Sequence, residues 1–351
     1  MLEKTKKSLI ELGKFLAQFD GQNTVKSTDV LYNDEFYDDF VFLIENQKHY
    51  NGWFVESEVY FAIRSWAEAL TQENIDKWLS AYEIPNAHPK TVGLILAGNI
   101  PLVGFHDFIS VLVTGHKALV KMSSNDQKIL PFVAKYLVRI EPELASRIEF
   151  VENKLENFDA VIATGSNNTA RYFEYYFKDK PSVIRKNRNS VAVLTGSETK
   201  EDLIGLGKDI FTYFGLGCRN VSKIFVPKDY DFELFFAAMY EYRDIINNQK
   251  YLNNYDYNKA VFLMSNFLIL DNEFMTLKED TAYASPISSV FYEYYQDLNQ
   301  LKERLAADSE QIQCVVSSGI IENSVKFGQT QHPQLWDYAD NVDTIEFLIG
   351  L

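Results

Sequence analysis

Cys218 is the residue around which chemistry can be built. It sits in YFGLGCRN, between Gly217 and Arg219, and the apolar run KIFVP follows from Lys223. A thiol on a glycine-flanked loop before a strand is presented to a cleft, and a cation such as Arg219 would lower its pKa and raise its thiolate fraction where the two side chains meet, which adjacency in sequence alone does not establish. A lone cysteine is more commonly a small buried hydrophobe, so the reading depends on other segments. AGNIPL places Asn99 directly after an apolar run, where a side-chain amide can project over the carboxyl edge of a sheet. KMSSND places Lys121, Ser123 and Ser124 at the end of the next run, and ATGSNNTARYF places Thr164, Gly165 and Ser166 where a strand gives way to a helix. N–H groups at such a helix start can face phosphate oxygens. In KDKPSVIRKNRNS, Lys178, Lys180, Arg185, Lys186 and Arg188 gather positive charge in an acidic chain. Each has an ordinary explanation taken singly: Asn beside Pro is a turn, a glycine-serine pair before a helix is structural, and a charge run is a solvated face.

Those residues need elements to position them. Leu9, Leu12, Leu16 and Phe19 fall at helical spacing, as do Val59, Ile63, Trp66 and Leu70. Thr71 caps a further helix through Ile75, Trp78 and Leu79, and Pro85 and Pro89 end the helical stretch. From Thr91 the texture changes to short β-rich runs, TVGLILAG, KALVKM, IEFVE and DAVIAT, separated by helical stretches. That alternation predicts βαβ units and a parallel sheet covered on both faces. SVAVLT from Ser190 leads to a helix from about Thr199 to Phe214, a turn at Gly215-Leu216-Gly217 and the strand KIFVP. Further strands are expected at AVFLM from Ala260, SSVFYEYY from Ser288 and CVVSS from Cys314, with helices near 231–247 and 296–307.

A chain of 351 residues exceeds one hydrophobic core, so two domains are expected. We expect a helical segment at 1–90 packed on a cofactor domain, a Rossmann-like domain at 91–195 joined by about 320–351, and a catalytic domain at 196–319. The hydrophobic share of 46% and charged share of 24% exclude a disordered or fibrous chain. A net charge of −15 disfavours nucleic acid and anionic membrane surfaces as partners. No run reaches the ~20 apolar residues of a membrane span, and the start MLEKTKKSLIELGKF reads as an amphipathic helix and not as a signal peptide. Two cysteines, Cys218 and Cys314, make neither a disulfide framework nor a metal-ligand spacing, which fits a reducing cytoplasm. The five histidines show no ligand spacing, and no GxSxG elbow is present. Aromatics at 15% suit an aromatic-rich core or a channel for an apolar ligand.

AGNIP, KMSS, ATGS and GLGC, in this order and at these intervals, resemble the motif series of the aldehyde dehydrogenase superfamily. The closer resemblance is to the long-chain acyl-CoA reductase family, which includes the reductase subunit of bacterial luminescence systems. It covers the stretch from about Thr91 to Pro227, and the ending LWDYAD with VDTIEFL is similar to that family too. The resemblance implies an aldehyde dehydrogenase-like α/β fold with two parallel-sheet domains. It implies Cys218 as nucleophile and Asn99 as oxyanion donor, with Lys121, Ser123, Ser124, Thr164, Gly165 and Ser166 at a nicotinamide cofactor. Arg185, Lys186, Arg188 and Arg219 are candidates for the phosphates of coenzyme A. Two positions depart from the oxidising members. Ser124 stands where they carry a glutamate that binds the adenosine 2′-hydroxyl, so the chain leans to NADPH, with NADH as the alternative. Ile184 falls where they carry a catalytic glutamate, and no glutamate lies within 175–197. Without that base an acyl-enzyme resists water, which favours reduction of an acyl-CoA. An acyl-phosphate reductase and a catalytically silent interaction subunit remain as alternatives. The resemblance also implies a homo-oligomer, with acyl-transfer subunits as possible partners.

Overall fold

The computed structural model of the protein describes residues 1–21, 25–85 and 88–351, so parts of the expected N-terminal helical stretch lie outside the described residues. The chain divides into two compact units, residues 1–186 with 334–351 and residues 187–333. The strand Asn189–Val193 pairs within the second unit's sheet, on the amino-terminal side of the domain boundary expected near 195.

The first unit opens with four helices, α1 (Leu2–Leu16), α2 (Asn33–Tyr50), α3 (Glu56–Ala69) and α4 (Gln72–Leu79). The helically spaced Leu9, Leu12, Leu16, Val59 and Ile63 are fully buried, and Thr71 caps α4 by accepting the Asn74 N–H at 3.2 Å. There follow β1 (Thr91–Ile95), α5 (Phe105–Val113), β2 (Lys117–Lys121), α6 (Ile129–Ile140), β3 (Ile148–Val151), β4 (Ala160–Thr164), α7 (Asn167–Tyr176) and β5 (Ser182–Arg185). The five strands are parallel in the order β3-β2-β1-β4-β5. Alternate residues feed separate cores: Val92, Leu94, Ala118, Val120 and Ile162 face the core built with α1, α5 and α6, while Leu119, Val161 and Ala163 pack with Leu155, Phe158 and Phe173. A sheet buried on both faces accounts for the nearly unbroken apolar runs of its strands.

The second unit carries β6 (Asn189–Val193), α8 (Lys200–Phe211), β7 (Val221–Pro227), α9 (Phe232–Met239), α10 (Gln249–Met264), β8 (Ile269–Asp271), β9 (Thr276–Glu279), β10 (Ser289–Tyr295), α11 (Leu298–Ala307) and β11 (Ile312–Val316). Its sheet runs β11-β6-β7-β10-β9-β8, parallel except for β8. Here too neighbouring residues part company: Ala192, Ile224 and Val226 join α8 and α9, whereas Val191, Val193 and Phe225 join α11.

One expected strand is a helix. AVFLM is the last part of α10, because Asn248 accepts the Lys250 and Tyr251 N–H groups and starts a helix that buries Tyr251, Tyr255 and Phe262 at helical spacing. The chain then returns to the first unit, where α12 (Thr344–Ile349) packs on α5. Among the described residues no helix is long and apolar enough to cross a membrane.

Candidate active site

In the first unit the candidate residues collect at one sheet edge. β2, β1 and β4 are neighbours, and Lys121 ends β2, Asn99 follows β1, and Thr164 ends β4. Asn99 and Ser124 are exposed, and Lys121, Ser123, Thr164 and Gly165 are half-buried. The two loops after β1 and β2 touch closely: a Cβ on Gly98 would lie 2.7 Å from the Cβ and Oγ of Ser123, so only glycine fits there. Ser166 caps α7, its hydroxyl accepting the Thr169 N–H at 3.3 Å and exchanging a hydrogen bond with the Thr169 hydroxyl at 2.9 Å. The remaining first-turn amides of α7 give that edge a positive pole.

Asp126 shapes the Asn99 turn. Its side chain is buried, and Oδ2 accepts the Leu102 N–H at 3.2 Å, three residues beyond Asn99. Leu102 itself has φ 58°, a left-handed conformation that a branched side chain adopts only when held. The other oxygen, Oδ1, has no hydrogen-bond partner among the described residues, and burial pushes the Asp126 carboxyl up to about 6.

In the second unit Cys218 is exposed and Cys314 buried. The loop bearing Cys218 follows an unusual turn: Tyr213, Phe214 and Gly215 have φ of 54°, 56° and 77°. Left-handed geometry costs about 1–3 kcal/mol at each non-glycine position unless surroundings enforce it. The Asn220 side chain supplies much of that enforcement. Only 3% exposed, it donates Nδ2 to the carbonyls of Asp209, Ile210 and Thr212 at 3.1, 3.3 and 2.8 Å, and its Oδ1 accepts the Gly217 N–H at 2.8 Å. Those carbonyls lie at the carboxyl end of α8, where helix geometry leaves acceptors unmet. One amide therefore ties the helix end to the residue preceding the cysteine.

Further tethers hold the other side of the loop. The Ser190 hydroxyl on β6 donates to the Cys218 carbonyl at 3.0 Å, and Arg219 Nε donates to the Thr330 carbonyl at 2.7 Å. Asp209, buried inside α8, fixes Thr330: its carboxylate accepts the Gly328 N–H at 2.7 Å and the Thr330 N–H and hydroxyl at 3.0 and 2.9 Å. Burial raises the Asp209 carboxyl pKa, against the opposing pull of these hydrogen bonds.

Three cations of the basic run have separate partners. Arg185 is 5% exposed on β5, with Nη2 donating to Asp107 at 2.6 Å and to the Thr344 hydroxyl at 3.0 Å, and Nη1 to the Ala339 carbonyl at 2.7 Å. It anchors the carboxyl-terminal segment. Lys186 is exposed and pairs with Glu174 at 2.7 Å, and Arg188, in the second unit, donates to the Ser309 carbonyl at 3.0 Å. Ile184 lies within β5, paired with Ala163.

Sequence reasoning missed Asp126, Asp209, Asn220, Ser190 and Thr330. A signal existed for Asp209, a carboxylate among Leu206 and Ile210 on an apolar helix face, which is the mark of a buried polar group awaiting a partner. Asn220, two residues past the cysteine in a glycine-rich loop, has the residue type that bonds nearby backbone.

Comparisons with known proteins agree with this architecture. A family model described as acyl-CoA reductase (LuxC) matches residues 57–238, just over half of the chain. No curated protein matches the sequence significantly. Among solved structures, aldehyde dehydrogenase 21 from Physcomitrella patens, in complex with its reaction product succinate, is 11% identical with a TM-score of 0.67, covering 100% of this chain and 84% of its own. An indole-3-acetaldehyde dehydrogenase complexed with NAD+ is 13% identical with a TM-score of 0.62, over 94% of this chain and 74% of its own. The NAD+ complex of an aldehyde dehydrogenase from Bacillus cereus is 13% identical with a TM-score of 0.60, over 89% and 71%. At such identities the likeness is one of fold: the two parallel-sheet units are those of an aldehyde dehydrogenase.

Proposed function

The chain belongs to the acyl-CoA reductase (LuxC) family, and we propose that it reduces a fatty acyl-CoA, of the long-chain class, to the aldehyde with NADPH through a thioester on Cys218. The observation that carries this reading is the exposed Cys218 on a loop whose two sides and own carbonyl are tied to α8, β6 and the segment at 328–330. A sulfur nucleophile needs access to substrate and a backbone that does not wander, and this loop has both.

The Cys218 thiolate attacks the thioester carbonyl, the carbonyl electrons move to oxygen, and collapse of the tetrahedral adduct expels the coenzyme A thiolate. Asn99 is the residue assigned to the oxyanion, and loss of one such donor typically costs ~100–1000-fold in rate. Arg219, the next residue, is held through its Nε on the Thr330 carbonyl. With no glutamate in 175–197 to activate water, the acyl-enzyme survives until it is reduced.

The sheet edge of the first unit fits a dinucleotide by its donors. One cation, Lys121, the hydroxyls of Ser123, Ser124 and Thr164, and the α7 start with Gly165 and Ser166 stand at the carboxyl ends of adjacent parallel strands, the general ligand position of such sheets. Ser124 neither repels nor competes with a 2′-phosphate, which favours NADPH over NADH. When bound, the reduced nicotinamide supplies the hydride that turns the acyl carbon into an aldehyde and frees the thiolate. Lys186, Arg188 and Arg219 are the cations offered to coenzyme A phosphates, since Arg185 is committed to Asp107.

Intact-mass measurement after mixing with acyl-CoAs tests the proposal. A single acyl adduct should form on the parent, vanish on addition of NADPH with release of aldehyde, and be absent from Cys218→Ala. A Cys218→Ala protein that turns over acyl-CoA like the parent would sink it, and an adduct formed from acyl phosphate but not acyl-CoA would move the substrate to that class.

A further inference from the structure

The last turns of α10 and the chain leading from them into β8 leave apolar side chains in water. Leu268 is 94% and Met264 85% exposed, and Val261, Leu263, Phe267 and Leu270 are exposed as well. Residues of this size carry on the order of 200 Å2 of surface each, so the six leave roughly 700 Å2 in water. A stable interface takes about 800 Å2 from each partner, whereas the largest apolar patch of an ordinary monomer spans about 300–600 Å2. From 260 to 270 the chain reads AVFLMSNFLIL, without a charge, in a protein of net charge −15. The charges on either side, Lys259 and Asp271, pair with each other. The face is neutral.

It is also built, and not a frayed end. Asn266 takes φ 57° just past the end of α10, a left-handed position that asparagine tolerates. The Phe267 N–H then donates to the Phe262 carbonyl at 3.0 Å and the Asn266 N–H to the Leu263 carbonyl at 3.1 Å, the double closure that ends a helix sharply. The Phe262 and Phe267 rings meet edge to face at 6.4 Å, and Lys278 Nζ sits 4.2 Å over Phe267. The Tyr255 hydroxyl donates to Asp271 at 2.7 Å and fastens α10 to β8. The fold therefore holds these side chains in place, and docking them costs little further ordering. β8 is the outermost strand of its sheet, with β9 on one edge and no strand among the described residues on the other. Open edges ordinarily carry a lysine, a proline or a bulge that discourages pairing. β8 carries Ile269, Leu270 and the already paired Asp271.

We propose that this face meets the same face of a second copy of the chain about a two-fold axis, with β8 of each copy antiparallel to β8 of the other. The two six-stranded sheets then join edge to edge, each open backbone edge gains partners, and the apolar side chains leave water together. A second copy brings the same neutral surface and the same unpaired strand. An anionic membrane fits poorly, because the chain carries −15 and Lys259, the cation bordering the face, is engaged with Asp271. A strongly charged partner finds nothing on this face to pair with. Tyr172, Tyr175 and Tyr176 on α7 are exposed too, but they stand among Arg171, Glu174 and Lys178 and carry hydroxyls that water satisfies. The proposal is independent of the chemistry assigned to Cys218.

Sedimentation velocity over a concentration series of the full chain tests this. The parent should run as two copies at micromolar concentration. Met264→Lys combined with Leu268→Lys should weaken the association roughly 100-fold or more, since each copy then brings two like charges to the shared face. Both positions are exposed, so this variant should keep the parent's far-UV circular dichroism. Leu268→Ala adds no charge and should weaken the association about 10-fold, which covers the case of a lysine variant that does not fold. Raising salt from about 0.1 to 0.5 M should tighten the dimer, because it screens the repulsion between two acidic chains. The backbone amides of 269–271 should exchange hydrogen more slowly in the parent than in the lysine variant. If the parent assembles beyond two copies, the lysine variant should fall to half its mass. A parent that stays a single copy throughout the series, a dimer that salt weakens, or equal exchange at 269–271 overturns the proposal. So does an association that the lysine variant keeps, or that Tyr172→Lys with Tyr176→Lys abolishes in its place. A single-copy parent that binds phosphatidylcholine vesicles, with the lysine variant failing to bind them, assigns the face to lipid and overturns it as well.

Discussion

Asp126 shows what a single carboxyl costs when it is placed for geometry. Its Oδ2 holds the Leu102 N–H and so the turn after Asn99, while Oδ1 is buried with no partner among the described residues. The pKa therefore rises from 3.8 to about 6. A folded-state pKa above the unfolded one means the folded protein binds this proton more tightly. The group's stabilising effect is then complete below about pH 4 and is lost as pH climbs through 6, a difference of roughly 3 kcal/mol at neutral pH. Asp126→Asn keeps an acceptor for Leu102 and carries no charge. Its Tm should exceed that of the parent by several degrees at pH 7–8, and the gap should close toward pH 4. Thermal unfolding followed across pH 4–8 checks this, and a parent more stable than the variant at pH 8 would contradict it.

At the scale of elements, the site depends on how α8 ends. Asn220 ties three carbonyls of the α8 terminus to the Gly217 N–H and stabilises the left-handed Tyr213-Phe214-Gly215 turn. Asn220→Asp has nearly the same shape but turns a carboxylate oxygen toward those carbonyls, so the turn should open and Cys218 shift. A displacement of about 1 Å can cost ~100-fold. We expect kcat to fall by that order while KM for the nicotinamide nucleotide, whose candidate residues are in the other unit, changes by less than about 2-fold. Slow alkylation of Cys314, 7% exposed, verifies that the unit stays folded, and a folded variant with kcat near the parent's removes Asn220 from this role. The same helix end shows where sequence reading stops. β1, β2 and β4 were legible because a strand buried on both faces is a run of apolar residues, and with them the placement of Asn99, Lys121 and Thr164 at strand ends, while β7 and β10 were legible from their β-branched and aromatic residues. β8, β9 and β5 were not, being three or four residues long and carrying Asp271, Lys278 and Arg185. AVFLM reads as a strand by composition, and only the Asn248 cap upstream makes it helix. Cys218 declares itself by type and flanking glycines. Asn220 and Asp209 do not, because their partners are backbone groups, which every residue has and no residue type reveals.

For the whole molecule, the decisive fact is that the first unit is discontinuous in the chain and the second is not. Residues 334–351 carry Leu335, Ile345 and Leu348 into the first unit's main core. The segment is also bonded there: Tyr338 accepts the Trp78 indole N–H at 2.7 Å, Asp343 accepts the Tyr82 hydroxyl at 2.5 Å, and the Leu335 carbonyl lies 2.8 Å from His106 Nε2. Full burial of one aliphatic side chain contributes about 1.5–3 kcal/mol, so three contribute about 5–9 kcal/mol, comparable with the ~5–15 kcal/mol that holds a domain folded. Removing the segment also uncovers the buried Arg185–Asp107 pair and takes Thr344 and the Ala339 carbonyl from it. The second unit keeps both of its cores within 187–333. A chain ending at residue 333 should therefore lose the first unit selectively. Limited trypsin digestion should leave a resistant core near residues 187–333, and the same stretch expressed alone should unfold in one cooperative transition. A truncated chain that resists trypsin throughout and melts at the parent's Tm would show that the first unit closes its core without the returning segment.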